Sequence, residues 1–134
     1  KARANITDLN VTLQVSYVCR PWPIASLSQK LITCNLILEH IEDLGIVFAE
    51  ASRVLAAGGQ LFISELHPFK QYLGSQARFQ QDGQIRLIPA FVHHISDFLQ
   101  AAGQSKLSLA MINEWWHDAD NHKPPRLITF LFEM

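Results

Sequence analysis

The sequence has few charged residues and no long hydrophobic run. Charged side chains make up 17% of its 134 residues, and eleven Lys and Arg nearly balance twelve Asp and Glu, which leaves a formal charge of -1. Without an excess of positive charge, the chain lacks the electrostatic footprint of a nucleic-acid-binding protein. No apolar run approaches the roughly 18 residues that a membrane-spanning helix needs. The sequence therefore predicts neither a nucleic acid nor a membrane as a partner.

Cysteine is also scarce, with Cys19 and Cys34 alone and fifteen positions apart. A metal site would need closer spacing and a second pair of ligands, and the histidines are too scattered to supply one. A disulfide between the two cysteines stays open. Because disulfides are rare in the cytosol, we expect two reduced thiols in a cytoplasmic protein without a signal peptide.

The apolar content is that of one folded domain. Apolar residues make up 49% of the chain and the mean hydropathy is +0.08. A chain of this length can bury roughly two-thirds of its unfolded surface, which is enough for one core. This composition excludes a disordered tail or a fibrous repeat. We expect a single domain over residues 1–134.

Apolar spacing predicts an α/β order in the first half of the chain. Alternating or compact apolar residues favour strands at Asn10–Tyr17, Leu31–Leu36 and Gln60–Leu66. Between the last two, Leu44 begins a helical pattern that Asp43 can cap and that Gly58-Gly59 can stop. A strand, strand, helix, strand order is typical of parallel pairing.

The second half combines an irregular stretch with a helix and two strands. His67 to Pro89 carries prolines, glycines and aromatics, and a long irregular insert after a strand is more often functional than idle. Ser96 can cap a helix that continues to about Gln104. Two further strands are predicted at Leu107–Ile112 and Arg126–Phe132.

Two sequence runs in the middle of the chain resemble a known family. Leu31 to Leu44 reads Leu-Ile-Thr-Cys-Asn-Leu-Ile-Leu-Glu-His-Ile-Glu-Asp-Leu, and Ala51 to Ser64 reads Ala-Ser-Arg-Val-Leu-Ala-Ala-Gly-Gly-Gln-Leu-Phe-Ile-Ser. Together they resemble the second half of a class I S-adenosylmethionine-dependent methyltransferase, most of all the subgroup that methylates small molecules in quinone biosynthesis. Pro21-Trp22-Pro23 and His93-His94-Ile-Ser-Asp-Phe-Leu99 resemble two further segments of that family.

The resemblance implies a Rossmann-like sheet, mostly parallel, with an antiparallel final strand. The family's Gly-rich cofactor loop and its ribose-binding acidic residue cannot be placed in this sequence. The chain is therefore similar to a partial domain without the first two strands, and Lys1 to Ala4 resemble the last turn of the preceding helix. Two other classes, nicotinamide-dependent oxidoreductases and serine hydrolases, match the motifs less well.

The resemblance also implies residues that hold the cofactor. Asn35 and Leu36 would lie against the methionine part of S-adenosylmethionine, at the carboxyl end of a strand. Asn35 could instead only cap the following turn. Tyr17 stands where the family usually has an Asp near the adenine, and a phenol cannot replace that carboxylate.

Candidate catalytic and substrate-binding residues cluster at strand ends and in the aromatic segments. His40, Glu65 and His67 could face the methyl group or take a proton from the substrate. The alternative interpretation of each is a packed or solvated side chain. Four further residues could line a substrate pocket, or could simply pack: Tyr72, His93, His94 and Trp115.

Two functions from different classes follow. The first is transfer of a methyl group from S-adenosylmethionine to a small molecule. The second is a non-catalytic, methyltransferase-like partner that binds a protein through an open sheet edge and the Trp115-Trp116 segment. Because a missing first strand would leave the apolar edge at Leu31–Leu36 unpaired, we also expect the chain to self-associate, or its first predicted strand to pair there.

Overall fold

The computed structural model describes residues 10–74, 78–81, 83–120 and 123–134, so the predicted helical turn at Lys1 to Ala4 lies outside the described residues. Six strands are present in these ranges: β1 Gln29–Asn35, β2 Leu55–Leu66, β3 Arg78–Gln81, β4 Gln84–Leu87, β5 Ser108–Trp115 and β6 Leu127–Glu133. The helices there are α1 Leu44–Val54, α2 Pro68–Tyr72 and α3 Ile95–Gln104, with a 3-10 turn at Leu38–His40.

Four of the strands form one sheet in the order β1-β2-β6-β5. β1 and β2 are parallel, and β6 is antiparallel to both β2 and β5. Because β6 runs against both neighbours, β1, β2 and β5 point the same way and the final strand alone is reversed. The predicted Rossmann-like arrangement, mostly parallel with an antiparallel final strand, is confirmed.

The core lies between this sheet and the helices α1 and α3. Phe48 of α1 and Phe130 and Phe132 of β6 are fully buried. Phe130 stacks on Phe98 of α3 with ring centroids 4.9 Å apart, and Phe48 meets Phe132 edge-on at 5.5 Å. Such aromatic pairs add to the free energy gained by burial. This packing fixes both helices against the face of the sheet that carries Ile63.

The predicted strand at Asn10–Tyr17 is wrong. Residues 11–16 have no regular structure, and Tyr17 begins a turn. Val15 is 89% exposed and Tyr17 is 73% exposed, so these side chains face solvent, whereas Leu13 is half-buried. A strand needs a neighbour that supplies its hydrogen bonds, and periodicity alone does not provide one.

Two helix ends and the irregular insert also differ from the sequence-based expectation. α1 begins at Leu44 with Asp43 as its cap, as predicted, but it ends at Val54, and Gly58 lies within β2 with φ +71°. α3 begins after His94, whose backbone N–H donates to Asp97, so Ser96 lies in the first turn and does not cap it. The irregular insert contains α2 and a β3–β4 hairpin.

Within the described residues, β1 is an edge strand of the sheet, because it pairs with β2 on one side and with no strand on the other. Leu31 on this edge is 56% exposed. Within the described ranges, no helix has both the length and the apolar character needed to cross a membrane.

Candidate functional site

The carboxyl ends of β1 and β2 lie side by side, with Asn35 paired to Ser64. The chain turns sharply after β1, because Leu36 adopts φ +50° and its N–H donates to the Ser64 carbonyl at 2.9 Å. Asn35 and Leu36 are both exposed at this end of the sheet. In α/β sheets ligands bind beyond the carboxyl ends of the strands, so this corner is the candidate site.

Glu65 anchors the turn that follows β1. Its Oε1 accepts the backbone N–H groups of Ile37 and Leu38, each at 3.0 Å. The side chain is 3% exposed, and burial raises the pKa of the carboxyl, while the two backbone donors act in the opposite direction. Its Oε2 is buried and has no hydrogen-bond partner among the described residues. The carboxyl therefore holds the turn through one oxygen.

Residues 89–94, here called the strap, run across this turn on their way to α3. Three hydrogen bonds join the strap to the turn: His40 Nδ1 with the Pro89 carbonyl at 2.8 Å, Phe91 N–H with the Glu39 carbonyl at 2.7 Å, and His93 Nε2 with the Ile41 carbonyl at 2.7 Å. His93 is buried and its ring meets Phe98 edge-on at 6.0 Å. Since His40 and His93 both bond carbonyls, they fix the strap in place.

The segment after β2 is fixed from the other side. Nδ1 of His67 accepts the Phe69 N–H at 3.1 Å, so Nε2 carries the proton that it donates to Glu114 of β5 at 2.9 Å. Both ring nitrogens of this buried histidine are thus engaged within the chain. His67 links the end of β2 to β5 and sets where α2 begins.

Tyr72 and His94 meet at the rim of the same corner. The Tyr72 hydroxyl lies 2.5 Å from His94 Nδ1, and their ring centroids are 5.5 Å apart. Both side chains are exposed. One residue earlier, Gln71 Nε2 reaches Glu39 Oε2 at 3.5 Å. α2 is therefore connected to the turn and to the strap.

An apolar cavity of about 260 Å³ opens beside Asn35. Trp22 and Val18 close it on one side, and the Trp22 indole N–H donates to the Val18 carbonyl at 3.0 Å. Cys34 is part of the β1 wall, and burial raises the pKa of its thiol to about 12, with the Glu65 charge adding to the effect. The cavity thus pairs an apolar slot with a polar rim.

Two side chains of α1 hold the segment that carries Trp22. Glu50 Oε2 accepts the Trp22 N–H at 2.6 Å. The Arg53 guanidinium donates to three oxygens of the same segment: the Trp22 carbonyl at 3.0 Å, the Ile24 carbonyl at 3.0 Å and Ser26 Oγ at 3.1 Å. Arg53 and Glu50 also pair with each other at 2.8 Å. This clamp keeps the irregular segment against α1.

Two of the candidate site residues lie apart from this corner. Tyr17 does not line the cavity; its ring is exposed, with the Arg20 guanidinium 5.1 Å from the centroid. Trp115, at the end of β5, donates its indole N–H to Thr129 Oγ1 at 2.9 Å and is held by the sheet. The structure brings the other candidates together: Asn35, Leu36, His40, Glu65, His67, Tyr72, His93 and His94.

Comparison with known proteins identifies the architecture. Residues 1–63 match the methyltransferase domain family. A ubiquinone biosynthesis O-methyltransferase of Xanthomonas oryzae is 32% identical over 71 residues, which are 53% of this chain and 29% of that protein. An S-adenosylmethionine-dependent methyltransferase of Mesorhizobium loti superposes with a TM-score of 0.79 over 99% of this chain and 74% of that one, at 16% identity. One from Listeria monocytogenes gives 0.81 over 98% and 73%, at 12% identity.

The chain has the fold of a class I methyltransferase. The resemblance that the sequence motifs indicated is confirmed by the family match and by the superposed structures together. At sequence identities of 12% and 16%, the two superposed structures share the fold with this chain and support no conclusion beyond the fold. The matched region spans about three-tenths of the length of the curated relative.

The sequence did not assign roles to several residues of this corner. Glu39, Gln71 and Glu114 are bonding partners of the predicted residues, and Trp22 closes the cavity. Glu114 had one usable signal, since it is a charged residue directly before a tryptophan pair. Glu39 lies in the run from Leu31 to Leu44 that resembles the family, but its bonds could not be predicted, and Gln71 gave no signal, because both roles depend on how the turn, the strap and α2 meet.

Proposed function

We propose that this chain is part of an S-adenosylmethionine-dependent methyltransferase that methylates an oxygen of a small molecule. The observation that carries the proposal is the turn after β1, which Glu65 holds from below while Asn35 stays exposed beside an apolar cavity. The relative from Xanthomonas oryzae, whose name specifies an O-methyltransferase, supports the choice of acceptor atom.

The residues of this corner fit the two ends of the cofactor. The cavity beside β1 is apolar and about 260 Å³ in volume, which suits a flat purine closed in by Trp22. Asn35 lines the cavity and Leu36 follows it in the tight turn, so that an exposed amide and the turn backbone would bond the amino acid end. When bound, the cofactor supplies an electrophilic methyl group.

The histidines and the carboxylate divide into two roles in this proposal. Glu65, His67 and His93 position the turn, α2 and the strap, because each is buried and bonded within the chain. His40 faces the same corner from the turn, and Tyr72 and His94 serve as the substrate-facing wall. Positioning of this kind carries much of the rate of methyl transfer, since the oxygen must approach the methyl carbon in line.

Calorimetric titration with S-adenosylhomocysteine tests the proposal. We expect binding in the micromolar range for the wild-type chain, and about tenfold weaker binding for Asn35→Ala, which loses one or two hydrogen bonds to the ligand. The matched control is Asn113→Ala, on the exposed edge strand β5, which should bind as the wild type does.

Absence of binding by a chain shown to be folded would contradict the proposal. That result would favour the alternative function, a non-catalytic partner that binds a protein. Equal affinities of the wild type, Asn35→Ala and Asn113→Ala would contradict the location of the site, since the ligand would then bind elsewhere. A cytoplasmic location and self-association stay separate proposals, which this titration does not address.

A further inference from the structure

We propose that Tyr72 and His94 together form the binding point for the acceptor oxygen. This inference rests on the proposed methyl transfer and specifies the group that accepts the methyl. The acceptor is either a hydroxyl on an aromatic ring or a carboxylate. The starting observation is the contact between the Tyr72 hydroxyl and His94 Nδ1 at 2.5 Å.

The position of the pair supports this role. Tyr72 ends α2, which follows the carboxyl end of β2, and His94 ends the strap that crosses the turn after β1. Both elements are held by other bonds, through His67 on one side and His93 on the other. The pair is therefore a fixed feature of the rim that remains open to a ligand.

His94 differs from the other histidines of the corner in the bonding of its ring nitrogens. His67 uses both ring nitrogens within the chain, and His93 is buried against Phe98. His40 bonds the Pro89 carbonyl through Nδ1, and its Nε2 lies 3.6 Å from Glu39. Nε2 of His94 has no hydrogen-bond partner within the described ranges, so it is available to a substrate.

Either side chain can donate the hydrogen bond between Tyr72 and His94, and each arrangement suits one of the two acceptor groups. If His94 Nδ1–H donates to the Tyr72 oxygen, the bare Nε2 can accept a proton from a hydroxyl. If the Tyr72 hydroxyl donates to Nδ1, Nε2–H is a donor to a carboxylate. The carboxylate of Asp97 accepts the His94 backbone N–H at 2.8 Å, so a charged group is bonded to this residue.

The chemical step balances in both cases. The acceptor oxygen uses a lone pair to form the new bond to the methyl carbon, and the carbon–sulfur bond breaks with its electron pair staying on sulfur. A hydroxyl acceptor passes its proton to His94 Nε2, from which it leaves to solvent through the exposed rim. A carboxylate acceptor carries no proton, so there the pair only orients the oxygen.

Absorbance of 4-nitrocatechol provides a test that does not depend on turnover, because the probe changes colour when it ionises. At a pH about one unit below the probe's own pKa, we expect the wild-type chain with S-adenosylhomocysteine to increase the absorbance of the ionised form. Tyr72→Phe and His94→Gln should each abolish the increase. Controls are Leu73→Ala and His117→Gln, two exposed positions outside the proposed pair, which should leave it unchanged.

Methyl transfer to catechol and to benzoate then separates the two acceptor classes. If the acceptor is a hydroxyl, His94→Gln should reduce kcat with catechol by about 10²-fold or more, the usual effect of losing a general base. If it is a carboxylate, both variants should raise KM for benzoate about tenfold with little change in kcat, since only binding is lost.

Three results would overturn the inference. One is an unchanged 4-nitrocatechol spectrum on addition of the wild-type chain. Another is an increase that both variants keep. The last is a chain that binds S-adenosylhomocysteine while the variants match the wild type in kcat and KM for both acceptors. In that last case the proposed methyltransferase function stands and only the Tyr72–His94 assignment falls, whereas a chain that does not bind S-adenosylhomocysteine removes the proposed function itself.

Discussion

At the scale of single residues, the most informative side chain is a carboxyl group buried under the turn after β1. Burial raises the pKa of Glu65, so the folded state disfavours its ionised form relative to the unfolded state. This contribution to stability is fully present below the unfolded pKa and is lost as pH rises through the higher folded pKa. Glu65→Gln keeps an oxygen for the two backbone donors and removes the charge.

We therefore expect the stability of the wild type, relative to Glu65→Gln, to fall as pH rises above the ordinary range of a glutamate. Urea denaturation of both proteins over a pH series measures the difference in unfolding free energy. Glu42→Gln, at an exposed position, is the control and should track the wild type. A difference between the wild type and Glu65→Gln that stays constant with pH would contradict this account of Glu65.

The two cysteines differ in environment and should differ in reactivity. Burial raises the pKa of Cys34 to about 12, whereas Cys19 is exposed. Because the thiolate is the nucleophile, we expect iodoacetamide at about pH 8.5 to alkylate Cys34 at least a hundredfold more slowly than Cys19. Mass spectrometry of timed samples gives both rates. Comparable rates in the folded chain would show that the pKa of Cys34 is not raised.

At the scale of elements, the clamp between α1 and the segment with Trp22 could not be predicted from the periodicity of the sequence. Arg53 donates to three oxygens of that segment, and a lysine cannot reproduce this planar set of donors. We expect Arg53→Ala to release Trp22 towards solvent, shifting its fluorescence emission to longer wavelength in a background with Trp115→Phe and Trp116→Phe. Arg53→Lys should give a smaller shift, and an unchanged emission maximum in Arg53→Ala would refute the clamp.

Elements with a strong apolar period were predicted well, and those that depend on neighbours were not. The pattern from Leu44 gave α1 and its Asp43 cap because the apolar stripe and the cap are both local signals. Asn10–Tyr17 has an equally clear alternation but forms no strand, since none of the strands in the described ranges pairs with it. The β3–β4 hairpin was not predicted, because its strands are only four residues long and largely polar.

The same distinction holds for the candidate site. Asn35, Leu36 and Glu65 could be placed from the sequence because strand ends converge at one edge of a parallel sheet. The pairing of Tyr72 with His94, and of His67 with Glu114, could not, since these bonds join residues 22 and 47 positions apart. Tyr17 was assigned by counting along a segment that is not a strand, and it lies away from the cavity.

At the scale of the whole molecule, β1 and β5 are the two edges of the four-stranded sheet in the described chain, and our expectation concerns β1. Leu31 is 56% exposed there, and a long apolar edge strand favours pairing with another chain. We expect the protein to self-associate through β1, and Leu31→Lys to shift it towards the monomer in analytical ultracentrifugation. Leu87→Lys, which places the same charge on an equally exposed leucine of the hairpin, should not. A monomeric wild type would show that β1 is not an interface.

The central claim is that S-adenosylmethionine binds at the carboxyl ends of β1 and β2. The most direct measurement is the change in backbone amide and indole chemical shifts when S-adenosylhomocysteine is added to the labelled protein. We expect the largest changes at Asn35, Leu36 and the residues of the following turn, together with the Trp22 indole beside the cavity. Saturating ligand that shifts none of these signals, or that shifts signals only at the opposite ends of the strands, would contradict the account.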